Sequence, residues 1–195
     1  MSPAEFVRIT ELARLRVYRI DSTEMLTRRR FVQSMAASAA LPLVPSRSAF
    51  AANDIEALLD SHDSLGLAEL IKRKEIAPRE LVEASIRRID RYDGRINAIV
   101  APTFERALEA SKAMDLTRPL AGVPFAIKDQ LDVAGVPTTY SSAFLANNVP
   151  TASSPIVDAY ERAGLVILGK TNMSEFGLTP TTESQFGGTC RNPWN

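Results

Sequence analysis

The sequence predicts an α/β fold, on three observations. A Gly122-Val123-Pro124 turn opens a short apolar run, residues 123–127, that reads as a buried strand. A second apolar run, Leu165-Val166-Ile167-Leu168, reads the same way. Between them, residues 154–163 carry helical spacing, so the two strands are expected to lie parallel, joined by a crossover helix.

Upstream, residues 54–61 and 64–74 read as helices, with Leu58, Leu59, Leu67, Leu70 and Ile71 as the apolar face and Asp54 and Ser64 as caps. Pro78 suits a first helical position, and that helix is expected to run to about Tyr92 and stop at Asp93-Gly94. Residues 103–114 give another helix, its charged side facing solvent. Residues 131–139 are turn-rich, with Gly135 and Pro137. Ser154 is the expected cap of the crossover helix and Gly164 its end. Residues 172–195 read as loop. Two strands are thus expected, fewer than a sheet of ordinary size holds.

The 195-residue chain has no net formal charge, but its charge is unevenly placed. Residues 1–51 hold eight Lys/Arg against four Asp/Glu, and residues 52–195 hold fifteen against nineteen. No basic patch points to nucleic acid. The single Cys190 excludes an internal disulfide, and the single His62 excludes a zinc site built on several histidines; no metal or cofactor is expected.

The basic excess belongs to an export pattern. Thr27-Arg28-Arg29-Arg30-Phe31 precedes an apolar run over residues 35–44, and Ala49-Phe50-Ala51 supplies a small-x-small cleavage pattern. Paired arginines followed by x-Phe fit a twin-arginine signal, an ordinary secretory signal being the alternative. The run is too short and too polar for a stable membrane span. The expectation is a periplasmic or secreted protein, with the twin-arginine export machinery as a partner. Residues 1–24 fit poorly before a signal and read as an extension upstream of a start at Met25. The expected organisation is therefore 1–24 extension, 25–51 signal peptide, 52–79 helical segment and 80–195 α/β portion.

Chemistry centres on Lys128, at the carboxyl end of the first strand, where α/β folds place ligands. Read locally, it is either a solvated lysine paired with Asp129 or Asp132, or a partly desolvated amine able to take a proton. Lys170, at the end of the second strand, is its rival. Gly164-Leu165-Val166-Ile167-Leu168-Gly169-Lys170-Thr171 matches the phosphate-loop pattern in letters, but its four middle residues read as strand, and a helix precedes them. A phosphate loop needs those residues as loop, with N–H groups open to the phosphate. The hydroxyls over residues 138–142 lack a histidine base, His62 reads as a surface side chain, and Cys190 as an idle thiol.

Three segments in order, residues 122–129, residues 163–177 (with Gly169-Lys170-Thr171-Asn172-Met173-Ser174-Glu175-Phe176-Gly177) and residues 186–195 (Phe186-Gly187-Gly188-Thr189-Cys190-Arg191-Asn192-Pro193-Trp194-Asn195), resemble the amidase signature family. A looser match reaches Glu80-Leu81-Val82. The resemblance implies the amino-terminal part of a mixed sheet flanked by helices. It also implies hydrolysis of a small-molecule carboxylic amide to an acid and ammonia or an amine. Family members use a lysine, a serine in a cis peptide bond and a nucleophilic serine. Lys128 falls on the family lysine, which reverses the local preference for a solvated residue. The backbone at Gly177 and Leu178 is implied to edge the substrate pocket. The family's Gly/Ser-rich segment with both serines has no counterpart in residues 1–195, so the expectation is an inactive portion of a longer enzyme. Two alternatives stand: a catalytically dead binding or assembly domain, and the amidase subunit of a tRNA-dependent amidotransferase, which the export pattern disfavours. Oligomeric state is not readable.

Overall fold

The computed structural model describes residues 51–194. The expected signal peptide and upstream extension, apart from Ala51, lie outside these residues. Two short helices come first, α1 (Ala52–Ser61) and α2 (Ser64–Lys72). The caps differ from expectation by a residue or a role. Asp63, not Ser64, caps α2 by accepting the Gly66 N–H at 2.8 Å. Asp54 lies in the first turn of α1, where its carboxylate accepts the Ala51 N–H at 3.2 Å.

Helix α3 (Pro78–Ile96) starts at the expected proline, and Glu80 reaches back to accept the Ala77 N–H at 2.8 Å. It does not stop at Asp93-Gly94. Gly94 is tolerated within a helix already propagated, at about 1 kcal/mol relative to alanine. The stop comes at Asn97, in the left-handed conformation. Asp93 serves that stop, accepting the Ala98 N–H at 2.7 Å and the Ile99 N–H at 3.1 Å.

The chain then gives β1 (Ile99–Pro102), α4 (Phe104–Lys112), β2 (Pro124–Lys128), α5 (Pro155–Ala163) and β3 (Val166–Thr171). The sheet order is β1-β3-β2. Strands β2 and β3 are parallel across α5, as the crossover argument requires, and β1 is antiparallel to β3, so the sheet is mixed. Strand β1 carries no sequence signal because Ile99-Val100-Ala101-Pro102 is too short for a visible alternation. Two-residue strands β4 (Glu183–Ser184) and β5 (Gly188–Thr189) form a small ladder in a segment expected to be loop.

The apolar core falls into two clusters, both packed against Phe125 and Tyr160. One cluster joins Ile55, Leu67, Ile71, Leu81 and Val123. A second joins Ile127, Val133, Val136, Val157 and Ile167. Complete burial of Leu81, Val82 and Val157 contributes about 1.5–3 kcal/mol for each side chain. Ser154 holds the cap position of α5, but its hydroxyl makes no cap bond; it donates to Asp132 O at 3.4 Å instead.

Candidate active site

Strand β2 is the outermost strand of its sheet. Ile127 turns into the core and is 1% exposed; Lys128, the next residue, turns the other way and is exposed, as strand alternation dictates. Four consecutive residues, Phe125, Ala126, Ile127 and Lys128, border one groove. The same groove is bordered by Tyr160 of α5 and by Thr171 of β3, the partner of Lys128 in the strand pairing. Its volume is about 500 Å³, within the range of small-molecule sites.

One end of the groove is apolar. Phe125 and Tyr160 pack edge to face with ring centroids 5.1 Å apart, and Leu131 adds to that end. The other end carries hydroxyls. Ser174 donates to Thr179 O at 2.9 Å, and Thr179 borders the groove beside it. Among the described residues, Lys128 is the one charged side chain on the border, and Gly177 borders the same groove. No carboxylate among the described residues lies within ion-pair distance of the Lys128 amine, so neither Asp129 nor Asp132 is its partner there. Leu178 is 81% exposed and does not border the groove.

Lys170 has the opposite setting. It is fully buried, its amine 3.2 Å from the Asp129 carboxylate, and it donates to Thr138 Oγ1 at 2.8 Å and Pro137 O at 3.5 Å. Burial pushes its pKa below the usual lysine value, against the opposing pull of Asp129 and Asp132. The rival lysine is thus sealed from the groove. Asp129, also buried, accepts Thr139 Oγ1–H at 2.5 Å, the Thr139 N–H at 3.2 Å and the Ser141 N–H at 3.4 Å. Of the hydroxyls over residues 138–142, those of Thr138 and Thr139 engage the buried pair, that of Ser141 meets Ser184 Oγ at 2.6 Å, and Ser142 Oγ has no partner among the described residues. The sequence did not separate the two lysines, since each follows an apolar run; the strand pairing sets Lys170 opposite the buried Ile127.

The last segment anchors elsewhere. The Asn172 side-chain amide donates to Asn97 O at 3.1 Å and Gly187 O at 3.2 Å, and the Arg191 N–H donates to Ile96 O at 2.8 Å. No residue of 186–194 borders the groove. Between Gly164 and Gly169 the chain is strand preceded by α5, the reverse of a phosphate loop. His62 is exposed and meets Ser61 Oγ at 2.9 Å. Burial, and then the charge of Asp93, raise the Cys190 thiol above its usual value, which disfavours the reactive thiolate. Among the described residues, no group of three or more His, Cys, Asp or Glu side chains is placed to hold a metal ion. No described helix is long and apolar enough to cross a membrane.

A family model described as Amidase matches residues 80–195, which carry both the groove and Lys128. The chain belongs to the amidase signature family. Curated relatives of this amidase-family chain include the A-subunit of glutamyl-tRNA(Gln) amidotransferase from Methylacidiphilum infernorum, 42% identical over 129 residues, covering 66% of this chain and 26% of the relative. Its counterpart from Moorella thermoacetica is 44% identical over 136 residues, covering 66% and 28%. Among solved structures, 6-aminohexanoate cyclic dimer hydrolase superposes with a TM-score of 0.64 at 36% identity, covering 69% of this chain and 28% of that one. The chain spans between a quarter and a third of the length of these relatives. The α/β architecture with a mixed sheet and flanking helices is that of the amidase signature fold.

Proposed function

We propose that the full-length protein hydrolyses a carboxylic amide to an acid and ammonia or an amine, with Lys128 as its proton carrier. The observation that carries this is the placement of one exposed amine as the one charged group bordering the groove, on the family lysine position. In the proposed reaction a serine hydroxyl attacks the amide carbonyl. Its proton passes through a bridging serine to Lys128, and Lys128 then gives a proton to the departing nitrogen. Water releases the acyl group by the same proton path, so acid and amine leave and the enzyme returns unchanged. Neither serine is assigned to a residue of this chain, and the 195-residue chain alone is proposed to be inactive. The apolar end at Phe125, Leu131 and Tyr160 suits the carbon skeleton of the substrate. Gly177 is proposed to edge the substrate; Leu178 is proposed to do so only through its backbone. The protein is proposed to be exported through Arg28 and Arg29.

A second reading, the amidase subunit of a tRNA-dependent amidotransferase, is favoured by the curated relatives at 42% and 44% identity. The two separate in one experiment: the full-length protein is fractionated from cells and assayed on simple carboxamides. Export that fails in Arg28→Lys/Arg29→Lys, with amine or ammonia release by the protein alone, supports the first reading. A cytosolic protein active only with partner subunits and charged tRNA supports the second.

A further inference from the structure

The buried Asp129–Lys170 pair ties together three segments that meet at the groove. At the backbone, the Asp129 N–H donates to Thr171 O at 3.1 Å, which fixes the end of β2 against β3. Asp129 O accepts the Tyr140 N–H at 3.2 Å, and its carboxylate accepts the Ser141 N–H at 3.4 Å. Tyr140 and Ser141 both hold positive φ, 52° and 56°, a conformation costly for residues with a Cβ unless the surroundings enforce it. Tyr140 O in turn accepts the Phe176 N–H at 3.0 Å, and Phe176 is itself left-handed at φ 51°. The Tyr140 and Phe176 rings lie 6.0 Å apart. Phe176 is followed by Gly177, which borders the same groove as Lys128.

From this connected path we propose that Asp129 and Lys170 are positioning residues, which hold the Phe176–Gly177 part of the groove's border in place against the end of β2 through the Tyr140–Ser141 turn. The proposal rests on the reading of the groove as the active site, but its test does not require activity. The carboxylate gathers the donors of the turn, and the Lys170 ammonium offsets the charge that would otherwise be stranded in the core. Without the ammonium, the carboxylate is a buried charge without compensation that draws water, and the turn loses the acceptor that enforces its left-handed residues.

The test is amide hydrogen exchange, residue by residue, in the 195-residue chain with Lys170→Met and with the neutral pair Asp129→Ala/Lys170→Met, which removes the acceptor together with the charge. Reference amides are Gly122, which donates to Gly164 O, and Val166, which donates to Val123 O, at the other end of the strands. The expected result is exchange faster by about tenfold or more at Ser141 and Phe176, with Gly122 and Val166 changed far less. Equal acceleration at all four amides, or an unchanged Phe176, overturns the proposal. If Lys170→Met alone does not fold, the neutral pair, which strands no charge, decides on the same criteria. A selective result with no amide hydrolysis by the full-length protein would leave the positioning role standing and remove the functional reading alone.

Discussion

Two lysines near the carboxyl ends of adjacent parallel strands have opposite settings. Lys128 is exposed beside a groove, and Lys170 is sealed against Asp129. Breaking a buried pair by removing one partner leaves a charge without compensation, so Lys170→Met is expected to lose about 3–5 kcal/mol of stability, read as a fall in the urea midpoint. The same lysine gives a pH signature. Its native pKa lies below the ordinary 10.5, chiefly through burial. Between the lowered value and 10.5, the unfolded chain holds more of this proton than the native one, so its contribution to stability rises with pH there and is flat below. Urea midpoints at pH 8 and pH 10 should show wild type gaining on Lys170→Met toward alkaline pH; a loss would contradict the direction of the shift. A solvated Lys128 is what the local pattern favours, and its exposure agrees, although its expected pairing with Asp129 or Asp132 is absent; its proposed catalytic role comes from the family resemblance alone.

What separates them belongs to β3 as an element. Phe125 pairs with Ile167, but Ile127 pairs with Lys170, so β3 spends one residue more than β2 between these points. A one-residue bulge exchanges the faces of all that follow. It puts Lys170 on the core face with Ile127 and leaves Lys128 opposite Thr171. Gly169 sits within the bulge because β1 crosses close by: a Cβ there would lie 2.7 Å from Ala101 O and 3.0 Å from Pro102 Cα. Gly169→Ala is therefore expected to cost about 1–3 kcal/mol, since the obstruction is backbone and cannot rotate away; an unchanged urea midpoint would refute the crowding. The parallel pair, its crossover helix and the start of α3 at Pro78 were all legible, because apolar runs and proline report local structure directly. The bulge, strand β1 and the extension of α3 past Gly94 were not. The bulge and β1 depend on strand pairing distant in sequence, and the longer α3 on a side-chain cap beyond it, Asp93 holding Ala98 and Ile99.

At the scale of the whole molecule, residues 80–195 match the amidase family, and the described core is complete enough to bury Leu81, Val157 and Ile127. The matched region covers only 26–28% of the relatives' length, so most of each relative has no counterpart in these 195 residues. The proposed chemistry accordingly joins Lys128 to two serines that are not assigned to residues of this chain. The central claim is that this exposed amine carries the proton for amide hydrolysis. Its most direct measurement is kcat/KM for ammonia or amine release by full-length protein with Lys128→Ala. Because Lys128 is exposed and outside the core, the variant should keep its stability within about 0.5 kcal/mol. The account predicts a loss of about 10²-fold or more. A folded variant that hydrolyses the same amide near the original rate would contradict it.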